Sequence, residues 1–402
     1  MSTPPSQPST EQLPRESRAI VYAARTEETA VDQLRETLTD EFDWDRFVRL
    51  VRRNAVGPLV YRTFTEHCPG LVPDEVSSAL QTESEQIATH CLKYTGELGT
   101  VLDVLDDADV DAIPYRGPVL AQDAYGDLGL RPFSDLDFLI DRADLPTTRD
   151  RLRTIGYEPE SLRPGSGPRS ATQERRFVQL CRDYPLYNAN RHTVVELHWR
   201  VLDLRFPTQI DLESVFERRA YTTIGGREVP VFGPEDRLLA MCIHGTRHQW
   251  ERLRWVCDVA EFCRRHEIDW QVTLARARSN HAERMFLLGV RTAHGLFETS
   301  LPETIHRRID ADPQIDALYQ RVLEIMFGET VQSMTDRQRF QVRAVERHRD
   351  RARLLGSWAF KPRGYEIERF DVPWWLTPAY YAYRPLRLAG LSLGVIDAPA
   401  EG

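Results

Sequence analysis

The spacing of hydrophobic residues changes along the chain and divides it into segments of different character. Between residues 28 and 110, apolar side chains such as Phe47, Leu50 and Val51 recur at helical intervals. Short apolar runs ending in Gly or Pro then take over, as in strands bounded by turns, and helical spacing returns after residue 232. This pattern predicts an α+β protein with an N-terminal helical segment 28–110, an α/β core 111–232, a helical domain 233–330 and a C-terminal helical segment 331–402.

The predicted α/β core alternates short strands with short helices. Strands are predicted at "DAIPYRGP", a run that ends in a Gly-Pro turn, and at "DLDFLID", "FVQLCRDYPLY" and "TVVELHWRV", and helices are predicted at "VLAQDAY" and "ADLPTTRDRLRTIGY". The Gly- and Pro-containing stretch "RPGSGPRSATQERR" is expected to be a flexible excursion. We therefore expect a small mixed β-sheet with helices on one side.

Charge and cysteine content narrow the function class. The chain has 52 Lys and Arg residues against 61 Asp and Glu residues, a net charge of -9. This acidic balance argues against a protein that coats duplex DNA, which needs a basic surface. Six cysteines without a CxxC pair favour a reducing, cytoplasmic location. Residues 1–20 lack the apolar core of a signal peptide and are expected to form a disordered leader.

The most apolar stretch lies near the C-terminus, at residues 374–396. Pro378, Arg384, Pro385 and Arg387 interrupt it, so no transmembrane segment is predicted. We expect a packed C-terminal segment, although its aromatic and Arg content would also suit contact with a membrane surface.

Acidic residues in two predicted strands suggest a metal site. Asp135 and Asp137 in "DLD" are two residues apart, as are Glu196 and His198 in "VELHW", so each pair shares a face of its strand. If the two strands are neighbours, three carboxylates converge, and a divalent cation would relieve their repulsion. Gly117, which ends the first strand, would let backbone amides approach phosphate oxygens.

These motifs resemble those of the uncharacterised nucleotidyltransferase family, which belongs to the DNA polymerase beta-like nucleotidyltransferase superfamily. The stretch "IPYRGPVLAQDAYGDLGLRPFSDLDFLI" is similar to the family signature of a glycine turn followed by Asp-x-Asp. The resemblance extends to "RNAVGPLVYR", "VELHWRV", "HGTRHQWERLRWVCDVAEF" and "YYAYRPLRL". It covers roughly residues 40–390.

The resemblance implies a metal-dependent enzyme that moves a nucleoside monophosphate from an NTP to an acceptor hydroxyl and releases pyrophosphate. Asp135, Asp137 and Glu196 would be the catalytic and metal-binding residues, with Mg²⁺ or Mn²⁺ as cofactor. The acceptor could be a small molecule, a protein side chain or an RNA end. The expected nucleotide-binding residues are Arg116, Gly117, Arg131, Ser134 and His198.

The chain departs from the superfamily pattern beside the glycine turn. Pro118 stands where a serine is usual, and it offers neither a hydroxyl nor an amide N–H. Arg116 replaces the lysine that relatives often carry, which keeps the charge and changes the geometry. The alternative function is therefore a catalytically degenerate member of the same fold that binds nucleotide or a partner protein.

Three further pairs have simpler explanations. His244 and His248 are four residues apart on a predicted helix, which is the spacing of some zinc sites, but without an intervening Glu we expect a structural or substrate-facing role. Arg254 and Asp258, also four apart, are expected to form an ion pair on a helix surface. Arg131 could contact a phosphate or pair with Asp127.

Overall fold

The computed structural model describes residues 10–25, 28–159, 169–202, 206–208, 210–329, 332–362, 366–367 and 372–392. Its helices are, in chain order, α1 Arg15–Ala24, α2 Glu28–Thr37, α3 Trp44–Asn54, α4 Gly57–His67, α5 Asp74–Asp106, α6 Pro118–Tyr125, α7 Leu145–Arg153, α8 Ala171–Leu180, α9 Leu212–Glu217, α10 Pro234–Arg247, α11 Leu253–Arg265, α12 Trp270–Ser279, α13 Glu283–Phe297, α14 Glu303–Asp310, α15 Pro313–Phe327, α16 Met334–Ala344, α17 His348–Phe360 and α18 Thr377–Ser392. Its strands are β1 Ala112–Pro114, β2 Leu136–Ile140, β3 Tyr157–Pro159, β4 Asp183–Asn188, β5 Thr193–His198, β6 Ala220–Ile224 and β7 Arg227–Val231. The predicted α+β class is confirmed.

A five-stranded mixed sheet forms the centre of the molecule, in the order β1-β2-β5-β4-β3. Strands β2 and β5 run parallel, and every other neighbouring pair in this sheet is antiparallel. The parallel register places Asp137 directly opposite Glu196, and Leu139 opposite His198. The strands that carry the predicted acids are therefore neighbours, as the metal-site hypothesis requires.

Helices cover both faces of this sheet. In β2, Leu136, Phe138 and Ile140 pack into an apolar cluster that includes the buried face of α5. Leu139 points to the other face and joins a second cluster, which contains residues of α1 to α4 and of α10 to α15. The prediction of helices on one side is therefore wrong. Because side chains alternate along a strand, Asp137 lies on the face that meets α10 and α11.

The N-terminal helices and the helical domain bury one common core. The second cluster takes Phe47 from α3 and Leu59 from α4 as well as Val256 from α11. Close approach within this core needs small residues, since a Cβ on Gly289 in α13 would lie 2.5 Å from the Cys242 sulfur in α10. The division into separate helical units at residues 28–110 and 233–330 remains a prediction.

Three local predictions are corrected by the structure. The leader predicted to be disordered over residues 1–20 is helical from Arg15, because Ala19, Ile20 and neighbouring residues bury one face of α1; residues 1–9 lie outside the described part. Residues 177–180, predicted as strand, belong to α8, which Ser170 and Gln173 begin with a reciprocal capping box. The predicted flexible excursion, residues 163–176, is wrong from Ala171 onwards, where α8 begins, and its residues 163–168 lie outside the described part.

Candidate active site

A glycine turn joins the end of β1 to the start of α6. Gly117 has φ 60° and ψ -129°, a conformation that L side chains rarely adopt. A Cβ at this position would lie 3.2 Å from the backbone oxygen of Asp135. Gly117 therefore permits the turn and its contact with the segment that leads into β2. Pro118 is tolerated as the first residue of α6, where a backbone N–H has no helical partner.

The parallel pair β2–β5 brings two acids and a histidine together. Asp137, Glu196 and His198 each offer a ligand atom within 4.8 Å of the others. His198 Nε2 lies 2.8 Å from Asp137 Oδ1 and 3.3 Å from Glu196 Oε2. Side-chain exposure is 3% for Asp137, 25% for Glu196 and 0% for His198, so only Glu196 is partly open to solvent. The prediction that Glu196 and His198 share a face is confirmed by this contact.

Arg116 is a second hydrogen-bond donor to Asp137. Its guanidinium donates to Asp137 Oδ1 at 2.6 Å and to the Tyr115 hydroxyl at 3.1 Å, and it lies 3.3 Å from His244 Nδ1. Burial alone would raise the pKa of Asp137, but Arg116 and the hydrogen bond with His198 outweigh it and hold that pKa well below its usual range. Asp137 is therefore an ionised carboxylate at neutral pH.

His198 responds to the same carboxylates in the opposite direction. Burial would lower its pKa, yet the hydrogen bonds with Asp137 and Glu196 raise the pKa above the ordinary value. Its Nδ1 is buried without a hydrogen-bond partner in the described part of the chain. The predicted nucleotide contact of His198 does not fit its complete burial. The imidazole instead faces the two acids.

Asp135 lies just before β2, beside this group rather than within it. Burial, followed by repulsion from Asp137, raises the pKa of Asp135 to about 6. Ser134 is exposed next to it, with its Oγ 3.5 Å from Asp135 Oδ2. The three acids therefore do not form a single close cluster in the described structure: two of them meet with His198, and Asp135 borders the adjoining cleft.

Arg131 is held in place by an ion pair with helix α11. Its Nε donates to both oxygens of Asp258 at 3.0 Å, and the Tyr125 hydroxyl donates to the same carboxylate. The predicted surface pair of Arg254 with Asp258 is wrong, because Asp258 is buried against Arg131. The Arg254 guanidinium donates to the backbone oxygen of Pro132. Helix α11 therefore contacts both Arg131 and Pro132, the residues that lead towards Ser134.

A cleft of about 510 Å³ is bordered by Asp135 and Asp137. Its volume is typical of sites for small ligands. Its other wall comes from α10 and α11, whose residues the sequence did not assign to the site, with the exception of the substrate-facing alternative for His244 and His248. Residues that line the cleft include Arg116, Gly117, Arg131, Ser134, Asp135, Asp137, His244, His248, Arg252, Arg254 and Trp255.

Three aromatic rings cluster on the α10–α11 wall. The ring centroids of His244 and His248 are 4.6 Å apart, and those of His248 and Trp255 are 5.3 Å apart. Burial, together with nearby arginines, lowers the pKa of His248 to about 3 and that of His244 well below its ordinary value. Both imidazoles are therefore neutral at physiological pH. Their four-residue spacing was the sequence signal for this wall.

The donors present suit a divalent cation. Asp137 and Glu196 offer carboxylate oxygens, and His198 adds a buried imidazole nitrogen. Such a mixed set suits Mn²⁺ or another transition ion, whereas Mg²⁺ prefers an all-oxygen set. Asp135, Asp137 and Glu196 would supply the latter. The chemistry of the close group Asp137, Glu196 and His198 therefore fits a metal, whereas an all-oxygen set requires Asp135, which lies outside this group, to join the other two acids.

Comparison with known proteins identifies the family to which the chain belongs. The chain belongs to the uncharacterised nucleotidyltransferase family, whose model matches residues 40–298, so the predicted family is confirmed, and the extension of the resemblance to residue 390 stays a prediction. A crystal structure of an antigenic nucleotidyltransferase-like protein from Paracoccidioides brasiliensis matches with 15% identity and a TM-score of 0.31, over 59% of this chain and 91% of that one. No curated protein matches the chain. Among the described residues, no helix combines the length and apolar character needed to cross a membrane.

Proposed function

We propose that this protein is a metal-dependent nucleotidyltransferase that moves an NMP from an NTP to an acceptor hydroxyl and releases pyrophosphate. The observation that carries the proposal is the register of β2 and β5, which places Asp137 opposite Glu196 with His198 in contact with both. Membership of the family supports the reaction class. The proposed location is cytoplasmic.

Asp135, Asp137 and Glu196 are the proposed metal-binding and catalytic residues, with Mg²⁺ or Mn²⁺ as the cofactor. The bound cation would neutralise charge on the phosphates and lower the pKa of the attacking hydroxyl. Glu196 is the most exposed of the close group and is the proposed acceptor of the hydroxyl proton. His198, buried behind the carboxylates, would orient them or serve as a further ligand.

The cleft positions the reactants. In the proposed reaction the acceptor oxygen bonds to the α-phosphorus, the bond from this phosphorus to the α,β-bridging oxygen breaks, and pyrophosphate leaves with the electron pair. Arg116, Arg131 and Ser134 border the cleft and are the proposed phosphate contacts, together with the Gly117 turn. Alignment of the groups in one site is expected to provide much of the rate enhancement. The acceptor is a small molecule, a protein side chain or an RNA end.

Transfer of radiolabelled NMP from each NTP, with Mg²⁺ or Mn²⁺ and a cell extract, tests this function. We expect label on an acceptor with the wild type and a loss of about 100-fold or more in Asp137→Asn and Glu196→Gln, because each removes a charge on which the reaction depends. Glu303→Gln is the control, since Glu303 is 78% exposed on α14. Equal transfer by all these variants would refute the assignment.

The second candidate is a member of the fold that binds nucleotide without transferring it. Pro118 favours it, because the turn lacks one backbone N–H for a phosphate. So does Arg116, whose guanidinium already pairs with Asp137. The same experiment separates the two functions. Nucleotide binding that survives Asp137→Asn, with no transfer by any protein, would identify the degenerate member.

A further inference from the structure

Two arginines at the start of α11 line the cleft opposite the carboxylates. Arg252 immediately precedes the helix and is exposed, and Arg254 lies in its first turn. The contact of Arg254 with the Pro132 oxygen brings this turn against the stretch that leads to Asp135. Both side chains therefore border the same cavity as the candidate metal site.

Among the described residues no salt bridge neutralises these two arginines, although Arg252 lies 5.9 Å from the centroid of the Trp255 ring and the nearby Asp258 partly offsets the lowered pKa of Arg254. Arg116 pairs with Asp137 and Arg131 pairs with Asp258. In the described part of the chain, neither Arg252 nor Arg254 forms an ion pair. Glu251, the acid of this wall, instead lies 3.8 Å from Arg337.

Burial makes the lone charge of Arg254 costly. Desolvation, followed by repulsion from Arg131, lowers the pKa of Arg254 to about 10, and its Nε is buried without a hydrogen-bond partner. The N-terminus of α11, a helix of 13 residues, adds partial positive charge at the same place. Asn54 already accepts the N–H of Leu253, so the donors open to an anion are the arginine side chains rather than the helix end. An anion bound here would offset an unpaired buried cation.

We propose that Arg252 and Arg254 form an anion subsite that binds a phosphate group. A guanidinium fork matches the geometry of phosphate oxygens, and the neutral His248 beside it adds a polar contact without further charge. The phosphate comes from one of two sources: the distal phosphates of the NTP, or a phosphate on the acceptor. This identification of the ligand rests on the proposed function, whereas the subsite itself does not depend on transfer.

Calorimetric titration of inorganic tripolyphosphate into the full chain, with a chelator present, reads the subsite without the metal. We expect binding to the wild type that is about 10- to 100-fold weaker in Arg252→Gln and Arg254→Gln, the effect of losing a charged hydrogen bond. Arg307→Gln is the matched control, because Arg307 is 67% exposed on α14. If Arg254→Gln fails to fold, Arg254→Lys takes its place. This variant keeps the charge and should retain part of the affinity for tripolyphosphate.

Tripolyphosphate that does not bind the wild type, or that binds all these proteins equally, would overturn the subsite. The Asp137→Asn variant should bind tripolyphosphate at least as tightly as the wild type, because it loses a negative charge beside the subsite. A failure of NMP transfer and a failure of this subsite are therefore separate results.

A second titration distinguishes the two sources of phosphate. Inorganic phosphate is titrated into the wild type with and without saturating α,β-methylene-ATP and Mg²⁺. If the nucleotide abolishes phosphate binding, the subsite takes the distal phosphates of the NTP. If phosphate still binds to the nucleotide complex, and Arg254→Gln removes that binding, the subsite takes a phosphate of the acceptor.

Discussion

Replacing Asp258 by alanine tests whether the helical domain holds Arg131 in place. Arg131 and Asp258 have side-chain exposures of 6% and 3%, and both carboxylate oxygens lie 3.0 Å from the arginine Nε. Removing one partner of a buried ion pair typically costs about 3–5 kcal/mol, because the other charge stays buried. The Tyr125 hydroxyl also loses its acceptor, so we expect the free energy of unfolding to fall by about 4 kcal/mol.

Urea unfolding followed by tryptophan fluorescence measures this loss, and Arg131→Met completes a double-mutant cycle. The double variant Arg131→Met/Asp258→Ala should be more stable than Asp258→Ala alone, because no unpaired charge remains. Glu303→Ala, in an exposed pair with Arg307, should change stability by less than about 1 kcal/mol. A small effect of Asp258→Ala, or a double variant whose loss equals the sum of the single losses, would refute the reasoning.

Three further variants test other parts of the site. Gly117→Ala should lower the free energy of unfolding, measured in urea, by about 1–3 kcal/mol and weaken nucleotide binding. Gly70 also has a positive φ, +79°, but a Cβ there meets open space, so Gly70→Ala should lower the free energy of unfolding by less. Equal losses in the two variants would contradict the close contact between Gly117 and Asp135. His248 has a folded pKa of about 3 against 6.5 for the free side chain, so stability is full above pH 6.5 and falls on acidification, by at most about 1.4 kcal/mol per pH unit. His248→Gln should flatten urea stability between pH 6.5 and 4, and an unchanged slope would exclude this cause. His198→Gln should weaken Mn²⁺ binding, measured by paramagnetic resonance of the free ion, about 10- to 100-fold; unchanged affinity would exclude His198 from the metal site.

The sequence predicted four of the five strands of the main sheet because their signals are local, whereas it assigned Tyr157, the first residue of β3, to the preceding helix and predicted no strand at β6 or β7. The alternation in "TVVELHWRV" and the apolar run after Asp135 correspond to β5 and β2. The error at residues 177–180 has a local cause as well, since Ser170 and Gln173 cap a helix whose apolar residues also suit a strand. The helical leader was missed because its stability comes from burial against distant helices, which no short window of sequence shows.

The sequence predicted which side chains of the site share a face of one strand. It did not predict the contacts between residues of different elements. The two-residue spacings placed Asp137, Glu196 and His198 on the faces of their strands, whereas the pairing of the two strands was a condition of the hypothesis that only the structure supplied. Nothing in the sequence showed that Arg131 would pair with Asp258, 127 residues away. Apart from the substrate-facing alternative for His244 and His248, the second wall of the cleft was missed for the same reason, because α10 and α11 reach it only through the shared helical core.

The strength of the candidate metal site is set by the balance of charges around Asp137 rather than by the number of acids. Its Oδ1 accepts hydrogen bonds from both Arg116 and His198, so a divalent cation must compete with two hydrogen-bond donors for that oxygen. The pKa of Asp135 is shifted in the opposite direction to that of Asp137. Burial and repulsion from Asp137 raise it to about 6. A cation between the two would relieve this repulsion. Metal binding is therefore favoured most where one cation contacts both Asp135 and Asp137. These two carboxylates line the cleft that the nucleotide is proposed to enter.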